Sequence, residues 1–290
     1  MKKIISLFLV ALMAFGCVSV FASCDSGKDE NVLTMATNAE FPPYEFKEGD
    51  GYAGIDVEIA QAIAKRLGKE LKIVDIEFGS IIGGVQTGKY DFGMAGLTVT
   101  DERKESVNFS QTYATGVQVI IVKKDSAIQS LDDIFDFNEE GDPVALKNID
   151  IKVGVQQDTT GDIYCSDDVT KWGFNTCDAE GVVKIDRITR YPSGADAVEG
   201  LKSGKVDMVV IDNEPAKSFV AANEGAVRIL EGDNEYAVED YAICVSKSNT
   251  QLLKDINEAL TALKSEGVID KIIAKYINAG ETEGEGEATE

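Results

Sequence analysis

Between residues 31 and 278 the apolar positions switch repeatedly between two periods. Short runs rich in Val and Ile alternate with longer stretches in which apolar side chains recur every three or four residues. That succession predicts strands and helices in turn. Strands are expected at 32–36, 71–78, 92–95, 151–155, 182–185, 208–211 and 241–245. A helix is expected over 55–67, where Ile55, Ile59, Ala60, Ile63, Ala64 and Leu67 share a face and Gly68 is the stop. Further helices fall at 195–201, 215–222, 252–263 and 268–277, with Ser80 capping a shorter one through Ile81, Ile82 and Val85. Strand–helix alternation of this kind belongs to an α/β fold with mostly parallel sheets.

One pattern occurs twice. Thr87-Gly88-Lys89-Tyr90-Asp91 leads into an apolar strand and then to Gly96 and Thr98. Ser203-Gly204-Lys205-Val206-Asp207 leads into Met208-Val209-Val210-Ile211 and then to Asp212. In each, a Gly ends a helix and a buried strand delivers polar residues at its C-terminal end. Open α/β sheets bind ligands just beyond the carboxyl ends of their strands. Two such units suggest two similarly built lobes facing one cleft, although Gly-Lys-x-Asp is also ordinary helix-to-strand punctuation.

Length and charge narrow the function classes. The chain has 290 residues, more than one compact core needs, so two lobes are expected. Lys and Arg number 28 against 51 Asp and Glu, a net charge of −23. No basic surplus exists to neutralise phosphates, which argues against nucleic acid, or to dock on anionic lipid. There is no His, which removes Ser-His-Asp triads, Cys-His pairs and His-ligated zinc. The Cys residues at 17, 24, 165, 177 and 244 form no CxxC pair, so no metal site and no cofactor is expected.

The two ends read differently from the body. Lys2 and Lys3 precede an uncharged, mostly apolar run over 4–23, followed by the polar stretch 25–30. The small residues before Cys24 resemble a bacterial lipoprotein signal, with 1–23 the signal, Cys24 the lipidated residue and 24–30 a tether. Cys17 is a competing lipidation site, and Phe21 departs from the usual aliphatic residue. A plain secretory peptide and an uncleaved anchor are the other readings. The tail over 279–290 carries five Glu and nothing apolar larger than Ala, so it is expected to be disordered.

Within the body, ATNAEFPPYEF at 36–46, GIDV at 54–57, AGLTVTDER at 95–103, NFS at 108–110, VGVQ at 153–156 with Thr159 and Thr160, and 207–212 run in a familiar order. With these stretches the chain resembles the extracellular solute-binding proteins of polar amino acid ABC transporters, most of all those for glutamine and for lysine, arginine, ornithine and histidine. The resemblance implies a two-lobe periplasmic-binding-protein fold of type II with a two-strand hinge. Lobe one would comprise 31–114 with 241–278 and lobe two 115–240, with the crossings near 113–117 and 237–241. It also implies a binding protein, not an enzyme. Its partners would be a free amino acid and the permease and ATPase subunits of an importer, with membrane contact only through a lipid anchor. The protein would be an extracytoplasmic monomer held at the cell membrane.

A free amino acid presents a carboxylate, an ammonium and a side chain. The resemblance places Arg103 on the carboxylate, where a guanidinium can give two parallel hydrogen bonds. Gly96 would admit the ligand close to the backbone, Thr98 would add a hydroxyl or N–H, and Thr160 would donate from the start of a second-lobe helix. Asp212 would take the ammonium, although an Asp there also suits a helix N-cap. Phe41 and Phe78 would sandwich the side-chain stem, with core packing the alternative for Phe78. Asn38, Glu40 and Gln156 are the positions to watch for specificity. A second carboxylate from Glu40 would favour a cationic ligand, and an exposed loop charge is its alternative. Polar and cationic ligands both stay open, and dicarboxylic ones are disfavoured.

Three features depart from the family's pattern. Asp158 stands where a Gly is usual before the Thr pair, and Asp tolerates a positive φ. Residues 136–148 read as an acidic surface insertion. Cys165 and Cys177 could pair in an exported protein, whereas Cys244 reads as a buried apolar filler. Two other functions compete. One is a cyclohexadienyl or arogenate dehydratase-like enzyme on the same fold, with Glu40 as acid or base. The other is a ligand sensor.

Overall fold

The computed structural model describes residues 29–230 and 238–277. Cys17, Cys24, the expected signal and tether up to residue 28, and the acidic tail lie outside the described residues. The chain opens with β1 (Val32–Thr37) and a small antiparallel meander of β2 (Glu40–Phe41), β3 (Glu45–Glu48) and β4 (Gly51–Ala53). Helix α1 (Ile55–Arg66) follows, then β5 (Glu70–Asp75), α2 (Ser80–Gln86), β6 (Phe92–Gly93), α3 (Asp101–Ser106) and β7 (Val107–Phe109). Strand β8 (Ala114–Lys123) leads into β9 (Phe135–Phe137), β10 (Pro143–Leu146), β11 (Val153–Gln156) and α4 (Thr160–Ser166). After them come β12 (Thr176–Cys177), β13 (Val183–Ile185), β14 (Ile188–Tyr191), α5 (Gly194–Lys202), β15 (Met208–Asp212), α6 (Asn213–Ala222) and β16 (Val227–Ile229). The chain returns through β17 (Val238–Tyr241) to β18 (Cys244–Ser246), α7 (Thr250–Ser265) and α8 (Val268–Ile277).

These elements form two open sheets, in the orders β5-β1-β6-β18-β7 and β14-β11-β15-β8-β16. In the first, β1 runs parallel to β5 and β6; in the second, β11 runs parallel to β14 and β15. Strands β8 and β17 pair antiparallel, with Glu239 opposite Gly116 and Tyr241 opposite Ala114, and these two strands join the lobes. The first sheet packs α1, α7 and α8 against one face through Ile55, Ile59, Ile63, Ile256 and Leu260. A smaller cluster around Ile81, Val85 and Leu97 covers its other face. The second sheet buries Ile120, Val122, Val153, Val155, Met208 and Val210 against Phe135 and Phe174. Covering both faces of such strands removes nearly every side chain from water, which is why they read as unbroken apolar runs.

Several expectations shift. The strand expected at 241–245 divides into β17 and β18, because the chain leaves the crossing at Tyr241 and re-enters the first sheet at Cys244. Strand β13 pairs only with β12 in a separate hairpin, and β14, which follows it, takes the place beside β11. Ser80 is the first residue of α2 rather than its cap; Gly79 holds that position with no side-chain bond. The insertion at 136–148 is carried by the hairpin of β9 and β10.

Candidate functional site

The repeated unit is the scaffold of the site. Gly88 and Gly204 end α2 and α5, each with φ of +74°. Asp91 then accepts the backbone N–H of Thr34 at 2.7 Å, and Asp207 accepts that of Lys152 at 2.8 Å. Each Asp therefore ties the incoming strand to the first parallel strand of its own lobe. Beyond those strands the chain enters a narrow cleft between the lobes. It is lined by Asn38, Phe41, Phe78, Gly96, Thr98 and Arg103 from one side, and by Gln156, Thr159, Thr160 and Asp212 from the other, with Glu45 and Ala95 completing the wall.

Arg103 is only 9% exposed, against the surface charge that its neighbours Asp101, Glu102 and Lys104 would suggest. The hydroxyl of Thr100 caps α3 by accepting the Arg103 N–H at 3.1 Å, which fixes the base of the side chain. Its guanidinium donates to the carbonyl of Thr98 at 2.8 Å and of Asp158 at 3.1 Å, and lies 5.3 Å from the centre of the Phe78 ring. Among the described residues it makes no ion pair, and burial lowers its pKa. Gly96 has φ of +52°, and a Cβ there would stand 2.9 Å from the Phe41 ring, so only Gly fits against Phe41. The Thr98 hydroxyl lies 3.4 Å from that of Thr160 and 3.2 Å from Glu239.

From the second lobe, Asp212 is 4% exposed at the end of β15. It occupies the N-cap position of α6 but makes no side-chain capping bond, so its carboxylate is left to the cleft. Tyr241, on the returning crossing strand, donates its hydroxyl to it. Burial, and then the carboxylate of Glu239, push Asp212 up to about 7, with the Tyr241 bond acting the other way. Gln156 donates to Asn38 across the cleft at 2.9 Å, while its own carbonyl oxygen meets no donor among the described residues. Asp158 does adopt a positive φ, +64°, and its side chain lies against Gly79 of the facing lobe, where an added Cβ would stand 2.1 Å from its carboxylate.

Two sequence expectations change. Glu40 is exposed and does not line the cleft. Successive residues of a strand face opposite ways, so with Phe41 turned inward Glu40 turns out. The acid in the wall is Glu45, fully buried and paired opposite Phe41 in the hairpin of β2 and β3. Register would have revealed it: whatever faces the cleft at Phe41 is matched by its cross-strand partner. Cys165 and Cys177 are both free. Cys165 is buried in the second-lobe core on α4, whereas Cys177 lies half-buried on the separate β12–β13 hairpin. Cys244 is buried on β18, as an apolar filler would be. Sequence reasoning also missed Asp56, Gln118, Glu239 and Tyr241, each a buried polar group that bonds to a cleft residue.

Comparison with known proteins agrees with this geometry. The profile of the bacterial extracellular solute-binding proteins, family 3, matches residues 33–279. The chain belongs to that family. A curated relative, the arginine-binding extracellular protein ArtP of Bacillus subtilis (strain 168), is 30% identical over 279 residues, covering 95% of this chain and 98% of its own. A probable histidine-binding protein of Neisseria gonorrhoeae is 30% identical over 95% of this chain and 96% of its own length. Among solved structures, a mutant of ArgBP from T. maritima superposes with TM-score 0.69 at 36% identity, covering 86% of this chain and 96% of that one. An ancestral amino acid-binding protein described as a precursor of cyclohexadienyl dehydratase reaches TM-score 0.69 at 30% identity, over 85% and 96%. The family is extracellular, the two-lobe α/β fold is shared with these structures, and no described helix is long and apolar enough to cross a membrane.

Proposed function

We propose that this protein captures one free amino acid between its lobes and delivers it to an ABC importer. One observation carries the reading. Among the described residues, a buried guanidinium without an ion-pair partner, Arg103, and a buried carboxylate without a cation, Asp212, line the same cleft from opposite lobes. Isolated buried charges are costly, and a ligand with one carboxylate and one ammonium satisfies both at once. Arg103, with Thr98 and Thr160, takes the carboxylate; Asp212 takes the ammonium; Phe41 and Phe78 enclose the stem; Asn38, Gln156 and Glu45 meet the far end. Contacts from both lobes form only on closure, so the ligand stabilises the closed state. We divide the lobes at 31–114 with 241–278 and at 115–240, as the pairing of β8 with β17 supports.

The ligand is a cationic amino acid. Glu45 places in the cleft wall a carboxyl that no donor meets among the described residues, which suits a cationic side chain, and the relatives' names include arginine- and histidine-binding proteins. The protein is not an enzyme: the relatives are named for binding, and the precursor of the dehydratase is itself an amino acid-binding protein. The mature chain is a monomer anchored to the cell membrane through lipid on Cys24. A thermal-shift screen of the twenty amino acids with ornithine and cystine tests the reading, since a ligand that binds only the folded state raises its melting temperature. Arginine, lysine or ornithine should give the largest shift, and a screen in which no amino acid shifts the transition would overturn the reading. Turnover of prephenate or arogenate would establish an enzyme instead.

A further inference from the structure

The corner of the cleft beneath Gly96 holds two carboxyl groups that the ends of an amino acid do not use. Glu45 is fully buried, and neither of its oxygens meets an N–H or O–H donor among the described residues. Asp56, on the first turn of α1, is equally buried. Its Oδ2 accepts the Gly96 N–H at 2.8 Å and the Tyr113 hydroxyl at 2.8 Å, while Oδ1 meets no such donor. The Asp56 N–H donates to the carbonyl of Tyr44 at 2.9 Å, which sets Asp56 beside the residue that follows, Glu45, and among the described residues each carboxyl keeps an oxygen without a donor. Carboxylates have no hydrogen to offer, so a bond between the two forms only while one of them holds a proton.

Among the described residues neither carboxyl is in an ion pair; of the cations around them, Arg103 lines the same cleft and Lys47 is paired with Asp75 at 2.8 Å. The charged groups bearing on Glu45 are Asp56 from α1, Asp212 from β15 and Asp75 from β5, with the phenol of Tyr113 bonded to Asp56 and that of Tyr44 close by. Burial and the nearby Asp56 hold Glu45 well above the usual carboxylate range, and burial pushes Asp56 up to about 7. Glu45 lines the cleft while Asp56 stands behind it, bonded to the Gly96 backbone of the same wall.

We propose that Glu45 and Asp56 share one bridging proton, and that a cationic ligand side chain entering the cleft displaces it to solvent. This rests on the reading of the cleft as an amino acid site. The corner then carries a single negative charge in both states: one ionised carboxyl before, two ionised carboxyls and one ligand cation after. A neutral side chain leaves the proton in place. Discrimination between cationic and neutral ligands is therefore tied to pH, without any His. Any proton that Asp212 gives up to solvent when the ammonium arrives accompanies every amino acid, so the difference between ligands reports on the pair.

The test is titration calorimetry of the full chain at pH 7 with L-arginine and its neutral isostere L-citrulline, in buffers of different ionisation enthalpy. Arginine should release about one proton more than citrulline, and its affinity should fall about tenfold more steeply per pH unit below pH 7. Glu45→Gln should lower the arginine proton count by about one and leave citrulline's unchanged. Equal proton counts and equal pH slopes for the two ligands in the unmodified protein would overturn the proposal, as would an arginine count unchanged in Glu45→Gln. Should the variant not bind arginine, or citrulline not bind the unmodified protein, the pH slope of arginine against that of any neutral amino acid that binds decides. Failure of every amino acid to bind would instead sink the reading of the cleft on which this rests.

Discussion

The two repeated units are built alike and deliver opposite charges. After the Gly–Asp corner of the first lobe, β6 is only two residues long, and the chain loosens into an irregular stretch that ends in Arg103 on a separate short helix. After the corresponding corner of the second lobe, β15 runs straight through to Asp212. The regular lobe places its carboxylate at a strand end, held by Tyr241. The irregular lobe spends its extra residues on a glycine that admits Phe41, a threonine facing the other lobe, and a cap that sets the guanidinium. A short acceptor needs one fixed position, whereas a long guanidinium also needs its stem packed and its spare donors occupied. The same scaffold therefore diverges where the two side chains differ in reach.

Removing each charge tests that division. Arg103→Ala should weaken amino acid binding by at least about 100-fold, measured by calorimetry, while the circular dichroism spectrum stays unchanged. Retained affinity within tenfold would leave the carboxylate to another group. Asp212→Asn, which keeps the shape and the Tyr241 bond but loses the charge, should cost about 2 kcal/mol of binding.

The corners themselves should behave identically. Gly88→Ala and Gly204→Ala meet open space or the end of a flexible Lys123, so each pays only for the left-handed backbone, about 1 kcal/mol in urea denaturation. Unequal costs would show that the repeat is one of sequence and not of mechanics.

The smallest effect separates the lobes by titration. Glu45 and Asp56 in the first lobe and Asp212 in the second all hold their protons more tightly when folded. The native state then binds more protons than the unfolded chain above about pH 4, so stability falls as pH rises, and the Asp56 and Asp212 contributions are lost by somewhat above pH 7. Glu58, Asp168 and Asp178, whose pKa values are lowered, act in the opposite sense at more acid pH. The ligand-free melting temperature should be higher at pH 5 than at pH 8 by about 5 °C. Glu45→Gln should remove part of that difference from the first lobe and Asp212→Asn part from the second.

Much of this was legible in the residues. Helices α1, α7 and α8 follow from apolar spacing, and the repeat around Gly88 and Gly204 pointed to two strand ends facing one cleft. The resemblance carried by TVTDER and FPPYEF selected Arg103, Thr98, Gly96 and Phe41, all of which line that cleft. What stayed hidden depends on partners distant in sequence. Glu45 and Glu40 are equally acidic in one dimension, and only pairing across the Pro42-Pro43-Tyr44 turn turns one inward. Asp56 reads as an exposed first-turn acid until Gly96 and Tyr113 come to meet it. The split of 241–245 follows from which sheet each half joins, which local propensity does not encode.

Tyr241 belongs to a strand that joins the lobes, so the hydroxyl gripping Asp212 sits almost on the axis about which they would swing. Atoms near a pivot travel least. Arg103 is moored beside the same strand, because its guanidinium donates to the carbonyl of Thr98, which is bridged to Tyr241. Both facing charges are thus tied to one crossing strand, Asp212 by the Tyr241 hydroxyl and Arg103 through Thr98, so a modest swing would part them while each kept its own anchor.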